Sequence, residues 1–512
     1  MGQARIFSVT LTGLQGTLVE VEADVSSGLP AFSLVGLPDS STLQARDRVR
    51  AASARSGIGL AQRRITVNLS PAWQPKHGSG FDLAIAVAVV AAQGDLQVAP
   101  PTDTVMLGEL GLDGRLRAVP GVLPALLAAR DRGMTGAIVP AGNLAEARLV
   151  QGLDVDGAEH LSEVLHRFGA DVSPLAPSAT GPIPAPAEDE PPAPSMLDFA
   201  DVIGQAQARR AAEVAAAGGH HLLMVGPPGA GKTMIAARLP TILPELSVEE
   251  ALTVSAIHSV AGRFDSRGGL RLQPPFESPH HTASTAAVVG GGSGIALPGA
   301  ISRAHAGVLF LDEAPEFSPR VLDALREPLE TGDITLHRAR GVVHYPARFQ
   351  LVLAANPCPC GRAIGKGVDC SCTPLQRRRY LTRLSGPVQD RLDMHLTLGP
   401  VDVARAGDAT GEPSALIAAR VRAARDRQSE RFSERGWSLN AQIPGPLLRR
   451  ELAPVPGEAR LLDHALSQGR LTLRGYDRVL RLAWTLADLD EADRPGASHI
   501  GEALTLRRGA DR

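Results

Sequence analysis

The chain has 512 residues, too many for one hydrophobic core, so about two to four domains are expected. Its formal net charge of −2 excludes a global basic field, so any contact with nucleic acid must be local. Residues 1–13 lack the apolar core of a signal peptide, and the longest apolar run, Leu83 to Ala92, is too short to span a bilayer. These features predict a cytoplasmic protein without membrane contact.

Residues 1–172 are predicted to form a compact α/β domain. Four segments show the alternating or clustered apolar residues of strands: 6–11, 18–25, 31–35 and 65–69. Three segments have helical patterns: 40–55, 81–92 and 120–132. Between the last two helices, residues 110–119 indicate a hairpin that turns at Asp113-Gly114.

Two stretches in this domain resemble the proteolytic domain of Lon proteases: residues 75–80 and 108–129. In the register that this resemblance sets, Gly80 stands where that family has its nucleophilic serine, and Leu123 stands where it has its lysine. Ser79 is one residue out of register and Lys76 is in the same loop, so a relocated dyad is the alternative. Because a serine needs a positioned base to attack an amide, we expect this fold without protease chemistry.

Residues 173–197 are predicted to be a linker. They carry eight prolines between Pro174 and Pro194, together with the acidic run Glu188-Asp189-Glu190. This composition is typical of an extended, semi-rigid segment, and it separates the first domain from the rest of the chain.

The stretch from Gly226 to Thr233 matches the phosphate-binding pattern G-x-x-x-x-G-K-[ST] in full. A strand-like run at 221–225 precedes it and a helical pattern at 234–239 follows, so backbone N–H groups are expected to surround a polyphosphate. Lys232 is expected to reach the β- and γ-phosphates of ATP, and Thr233 to place its hydroxyl on Mg²⁺. The predicted ATP-binding residues are Gly226, Pro227, Pro228, Gly229, Ala230, Gly231, Lys232 and Thr233.

Polar side chains at the ends of two apolar strands are predicted to complete the ATP site within a domain at 198–400. The strand at 307–311 ends in Asp312 and Glu313. Asp312 suits a hold on Mg²⁺, and Glu313 suits polarisation of the attacking water. The strand at 351–355 ends in Asn356, which is expected to orient that water.

The interval between the phosphate loop and the two acids is unusually long. It contains His280-His281 and the glycine run 290–292, which indicate an inserted loop. Without acids or cysteines beside them, the two histidines are expected to have a surface or hinge role, with metal binding as the alternative.

Two arginines are candidates for contacts with the phosphates. Arg391, in the stretch Asp390-Arg391-Leu392-Asp393, is a candidate finger donated to the ATP of a neighbouring subunit, where it would stabilise developing charge. Residues 401–512 are predicted to form an all-helical lid, with helices at 414–435 and 476–489. Arg474, just before the second of these helices, is expected to reach back to the phosphates.

A hairpin predicted at 332–343 is the candidate DNA contact. Arg338 and Arg340 are two residues apart and are expected to share a strand face, which suits tracking of phosphates along a ring channel. An edge hairpin with solvated arginines is the alternative.

The four cysteines of the chain are Cys358, Cys360, Cys370 and Cys372. Their clustering argues against a disulfide framework spread over the fold, and their C-x-C-x9-C-x-C pattern favours a structural Zn²⁺ held by four thiolates. Free surface thiols or a redox-sensitive loop are the alternatives.

Taken together, the motifs resemble the YifB/ComM family of magnesium-chelatase-like AAA+ ATPases over nearly the whole chain. The most specific strings are 201–205, 278–282, 309–313 and 356–361. The resemblance implies an α/β AAA+ core with a C-terminal helical lid, preceded by an inactive Lon-protease-like α/β domain of the S5-like type. It also implies that Asn356 is sensor 1, Arg391 the arginine finger and Arg474 sensor 2. The chain departs from the family at Ala300 and Ala306, where relatives commonly carry Glu and Asn.

The function implied by this resemblance is an ATP-driven, homohexameric motor that acts on DNA, with the helicase and branch-migration activity of ComM. A protein-remodelling or assembly ATPase, with a protein client bound to the first domain, is the second possibility. A chelatase-type motor subunit is the third, although the chelatase motor is not expected to carry the Lon-like domain.

Overall fold

The computed structural model describes residues 2–175, 197–265, 268–292, 296–338, 341–363, 370–384, 386–399, 411–455 and 457–508. Most of the predicted linker lies outside these ranges, as do Arg340 and the first ten residues of the predicted lid, 401–410. Within the described ranges, no helix is long and apolar enough to cross a membrane.

The N-terminal part contains a seven-stranded mixed sheet, a separate two-stranded hairpin and helices packed on the sheet. Its strands are β1 (Gly2–Thr12), β2 (Gln15–Ser26), β3 (Ala31–Val35), β4 (Arg64–Ser70), β5 (Thr104–Met106), β6 (Glu109–Leu110), β7 (Leu116–Arg117), β8 (Gly136–Pro140) and β9 (Asp154–Ala158). Its helices are α1 (Ser40–Leu43), α2 (Ala45–Arg55), α3 (Asp82–Gln93), α4 (Val122–Asp131), α5 (Leu144–Ala147) and α6 (Leu161–Arg167). The sheet order is β3-β4-β2-β1-β5-β8-β9, and β6 and β7 form a separate hairpin.

The core of this part follows from the sequence pattern of β2 and α3. Along β2, Val19, Val21, Ala23 and Val25 are buried, while the residues between them are partly exposed. Because side chains alternate between the two faces of a strand, one face of β2 is directed into the core. Helix α3, whose residues from Leu83 to Val90 are all buried, packs against β1 and β2 on that face.

The central part is a five-stranded parallel sheet with inserted hairpins. Its strands are β10 (Leu222–Val225), β11 (Phe276–Glu277), β12 (Gly290–Gly291), β13 (Leu297–Pro298), β14 (Val308–Leu311), β15 (Asp333–Arg338), β16 (Gly341–Pro346), β17 (Gln350–Ala355) and β18 (Met394–Thr397). Its helices are α7 (Ala206–Gly218), α8 (Lys232–Arg238), α9 (Val248–Val260), α10 (Thr285–Val289), α11 (Ala300–Arg303), α12 (Pro319–Ala324), α13 (Arg326–Thr331), α14 (Pro374–Thr382) and α15 (Gly386–Gln389).

The order of the five-stranded sheet determines which loops meet. The order is β11-β14-β17-β10-β18, and every neighbouring pair is parallel. Because the carboxyl ends of parallel strands lie at one edge, the segments that follow β10, β11, β14 and β17 emerge together. The hairpins β12–β13 and β15–β16 lie outside this sheet.

The C-terminal part is helical. Its helices are α16 (Ser414–Arg431), α17 (Gly445–Arg450), α18 (Arg460–Ser467), α19 (Leu473–Leu489) and α20 (Ala497–Arg508). Helix α19 packs against α7, α16 and α20, and α20 also packs against β18. The fold is therefore an α/β AAA+ core with a C-terminal helical domain and a preceding α/β domain, which confirms the predicted fold class.

The N-terminal part docks directly on the central part through α4 and α9. The backbone N–H of Gly121 donates to the carbonyl of Ser259 at 3.1 Å, and the Ser259 hydroxyl donates to the buried carboxylate of Glu146. Burial raises the pKa of Glu146, although the hydrogen bonds from Ser259 and Leu123 oppose that effect. A specific polar contact thus joins the two parts within an apolar interface.

Candidate active site

The phosphate loop connects β10 to α8 and passes twice through the left-handed region of backbone conformation. The φ angle is 79° at Gly229 and 85° at Gly231, where residues with a Cβ are strained. Helix α8 begins at Lys232, whose ammonium donates to the carbonyl oxygens of Gly226 at 2.6 Å and Pro227 at 2.9 Å. The loop therefore wraps around its own largely buried lysine.

Lys232 also contacts the polar residue that follows β17. Its ammonium lies 3.2 Å from Oδ1 of Asn356, because β17 and β10 are parallel neighbours that end at the same edge. Burial lowers the pKa of Lys232, and the nearby carboxylates of Asp312 and Glu313 act in the opposite direction. Lysine, asparagine and the two acids thus share one charged pocket.

Thr233 and Asp312 form the part of the site that suits a metal ion. The Thr233 hydroxyl donates to Oδ2 of Asp312 at 2.7 Å. A hydroxyl and a carboxylate are hard oxygen ligands of the kind that Mg²⁺ takes, together with water and phosphate oxygens. These two residues fit a magnesium ion that accompanies a nucleoside triphosphate.

Glu313 is held by its own backbone and by a histidine. It adopts a left-handed conformation, with φ 49°, and its N–H donates to Oδ1 of Asp312 at 2.8 Å. Its Oε2 lies 3.1 Å from Nδ1 of His281. Strand β11 is the neighbour of β14, so the segment after β11 brings His281 beside the end of β14. This pairing gives His281 a contact within the site, where the sequence predicts only a surface or hinge role for the two histidines.

Arg391 and Arg474 lie together at the opposite end of β10. Both line a cavity of roughly 280 Å³ that also borders His221, the residue before β10, whereas the phosphate loop follows the other end of the strand. Arg391 contacts the Glu330 carboxylate and donates to the carbonyl of Pro387 at 2.6 Å. Arg474 thus shares a cavity with Arg391, and its expected contact with the phosphates stays a prediction.

Charged groups buried around this cavity hold its arginines in position. Arg478 of α19 contacts the Asp393 carboxylate and donates to the carbonyl of Arg391 at 2.9 Å. Burial raises the pKa of Asp393, but its contacts with His220 and Arg478 outweigh this effect and hold the pKa well below its usual range. Burial also lowers the pKa of His221 to about 4, so this ring is neutral at pH 7.

The predicted DNA-contact hairpin consists of β15 and β16, which pair from Asp333 with Pro346 to Arg338 with Gly341. Arg338 is exposed at the tip of β15, and its guanidinium lies against Gly291 of the β12–β13 hairpin. The two hairpins therefore present one joint surface. Arg340 lies outside the described residues, so the shared face of the two arginines stays a prediction.

The lysine and the serine of the Lon-like loop are bonded to other groups. The ammonium of Lys76 donates to the carbonyl of Pro71, and the Ser79 hydroxyl donates to the carboxylate of Glu109. Burial lowers the pKa of Lys76. Leu123, at the position of the lysine in the Lon family, is fully buried in α4.

The four cysteine sulfur atoms come together beside the ATP pocket, all within 4.8 Å of one another. Among the described residues, these four cysteines form the group whose side chains could hold a metal ion. Within the described part of the chain, His280 and His281 belong to no such group, and their rings lie against each other at a tilt of 33° with centroids 4.2 Å apart.

Comparisons with known proteins match three family descriptions to the chain. Residues 198–406 match "Magnesium chelatase, subunit ChlI", residues 21–143 match "Subunit ChlI of Mg-chelatase", and residues 411–507 match "Magnesium chelatase, subunit ChlI C-terminal". An AAA+ ATPase of the magnesium-chelatase type is therefore the class that the fold, the phosphate loop and these matches define.

Full-length relatives specify the family within this class. An uncharacterized protein of Mycobacterium tuberculosis is 49% identical over 508 residues, which cover 99% of both chains. The uncharacterized protein YifB of Escherichia coli is 42% identical over 97% of this chain and 95% of its own length. Competence protein ComM of Haemophilus influenzae is 40% identical over 99% and 98%. The chain belongs to the YifB/ComM family of magnesium-chelatase-like AAA+ ATPases, as its motifs predict.

Proposed function

We propose that the protein is an ATP-hydrolysing ring motor that acts on DNA. The observation that carries the ATPase part is the convergence of Lys232, Thr233, Asp312, Glu313 and Asn356 at one edge of the parallel sheet. Lys232 would neutralise the transferred phosphoryl group, and Thr233 with Asp312 would hold Mg²⁺. Glu313 would polarise the water, which Asn356 would orient.

The position of Arg391 and Arg474 supports a ring of identical subunits, with a hexamer as the proposed size. Both arginines line a cavity at the end of β10 remote from the chain's own phosphate loop. A guanidinium there is suited to an ATP molecule bound by a neighbouring copy, where it would stabilise the charge that develops on the γ-phosphate. The nucleotide would then lie between two subunits, and hydrolysis would depend on assembly.

The DNA part of the proposal rests on the joint surface of the two hairpins. Arg338 is exposed at the tip of β15 and offers a cation to a phosphate backbone. On the outer face of the same hairpin, His337 and His344 are also exposed. A relative named as a competence protein is consistent with a DNA substrate.

The rate of ATP hydrolysis by the purified full-length protein tests which kind of molecule the motor acts on. The experiment compares forked DNA, an unfolded protein and a porphyrin as stimulators of this rate. The comparison separates a DNA motor from a protein-remodelling ATPase, which would bind a client on its first domain, and from a chelatase motor. Forked DNA alone should raise the rate, and Arg338→Ala should weaken this stimulation at constant basal rate. Arg435→Ala serves as the matched control, because Arg435 is an exposed arginine already paired with Glu451. Stimulation by protein or porphyrin and not by DNA contradicts the proposal.

A further inference from the structure

The sulfur atoms of the four cysteines are closely grouped but too far apart for a disulfide. Cys358 and Cys360 have sulfur atoms 3.3 Å apart, and each lies 3.6 Å from the sulfur of Cys370. A disulfide would bring two of them to about 2.05 Å. A zinc ion with Zn–S bonds of about 2.3 Å holds its four sulfurs about 3.8 Å apart. The three distances are close to this value, and the sulfur of Cys372 lies within 4.8 Å of the other three.

Thiolates, the form in which cysteine binds a metal, are stabilised by nearby positive charge. Arg377 adds a positive charge beside the cluster, since its Nε donates to the carbonyl of Cys372 at 3.2 Å.

We propose that Cys358, Cys360, Cys370 and Cys372 bind one structural Zn²⁺ that braces the ATP site. Soft thiolate ligands select zinc over the hard ions Mg²⁺ and Ca²⁺. Four protein ligands complete a tetrahedral site and leave no position for a reacting water, so the ion acts on structure and not on catalysis.

The cysteine loop is packed against two parts of the ATP site. Gly361 has φ 75°, and a Cβ on it would lie 2.8 Å from the Pro228 ring of the phosphate loop, so the two backbones are in close contact. Cys358 follows Asn356 by two residues, so the loop continues directly from the asparagine of the ATP site. The loop is thus anchored on Pro228 at one side and on Asn356 at the other. This bracing role rests on the proposed nucleotide binding, whereas the metal site does not.

The metal content of the full-length protein, purified without chelator, tests the site itself. We expect about one zinc per chain, and Cys370→Ser with Cys372→Ser should remove it. Ser371→Ala is the matched control, because Ser371 is exposed between these cysteines and should keep the zinc. Replacement of zinc by Co²⁺ should give the absorption of a tetrahedral tetrathiolate. Metal-free wild-type protein with four freely titrating thiols contradicts the proposal.

Binding of a fluorescent ATP analogue tests the bracing role. The double cysteine variant, and wild-type protein stripped by a chelator, should both bind the analogue about tenfold more weakly than Ser371→Ala, and zinc should restore the stripped protein. Unchanged affinity after zinc removal contradicts the bracing role. If the protein holds one zinc per chain and still binds no nucleotide, the result contradicts the ATP site but not the metal site. The two failures are therefore distinguishable.

Discussion

Nδ1 of His281 lies 3.1 Å from Oε2 of Glu313, so the carboxylate proposed to polarise the attacking water is held by a residue of the inserted segment. The backbone N–H of Glu313 donates to Oδ1 of Asp312. Any movement of the inserted segment would therefore change the direction in which the Glu313 carboxylate points.

The His281–Glu313 contact predicts a positioning role for His281. His281→Ala should lower the rate of ATP hydrolysis several-fold and leave nucleotide affinity unchanged, because the histidine contacts the carboxylate and not the phosphate loop. His280→Ala is the matched control, since His280 bonds Thr282 and lies beside His281, whereas the contact with Glu313 is made by His281. Equal rates in the two variants would show that the contact has no part in turnover.

The remote position of Arg391 predicts that ATP hydrolysis needs an assembled ring. Activity per chain should rise steeply with protein concentration, and Arg391→Ala should lower it by roughly 10³-fold or more. A mixture of Arg391→Ala with Lys232→Ala should recover some activity, because some interfaces then combine an intact phosphate loop with an intact arginine. Absence of recovery in a mixed oligomer demonstrated by mass measurement would count against action between subunits.

Arg474 shares the cavity with Arg391, and we predict that it behaves in the same mixing experiment as Arg391 does. Arg474→Ala mixed with Lys232→Ala should also recover activity. Recovery of activity in the mixture with Arg391→Ala, but not in the mixture with Arg474→Ala, would mean that Arg474 acts within its own chain.

The bonding of Ser79 and Lys76 predicts that the first domain has no protease activity. Ser79→Ala should leave ATP hydrolysis and peptide hydrolysis unchanged, because the Ser79 hydroxyl is bonded to Glu109 and the Lys76 ammonium to Pro71. Peptide cleavage by the wild-type protein that disappears in this variant would overturn that reading.

Three buried histidines predict a loss of stability in mild acid. Burial lowers the pKa of His221, His258 and His305 to about 4 each. The unfolded chain therefore binds protons near pH 6.5 that the folded chain does not accept until about pH 4. The free energy of unfolding should fall as pH falls through this window, by up to about 3 kcal/mol per histidine. Urea unfolding at pH 7 and at pH 5 measures the change, and equal stabilities would contradict these assignments.

The sequence predicts those parts of the site that depend on strand order. Lys232, Asp312 and Asn356 each follow a strand of the same parallel sheet, so their motifs alone place them at one edge. The hairpin at 332–343 and the fold class follow from local patterns in the same way. The cysteine cluster was also visible from spacing, because four ligands within one short loop need little tertiary information.

The contacts that the sequence does not predict are all long-range. His281 meets Glu313 only because β11 pairs beside β14, and a two-residue strand gives almost no periodic signal. Arg474 lies beside Arg391 because α19 packs against α7 and α16, and this direction is set by the tertiary fold. The contact of Gly361 with Pro228 likewise depends on how the loop folds back over the phosphate loop.

Single-turnover ATP hydrolysis and equilibrium ATP binding, measured for wild-type protein and for Glu313→Gln, test most directly whether these residues form an ATPase site. We expect the variant to bind ATP with affinity close to that of the wild type, because Lys232, Thr233 and Asp312 are unchanged. Its hydrolysis rate should fall on the order of 10²-fold or more, because the water loses its general base. Wild-type turnover by Glu313→Gln would contradict the assignment of this site.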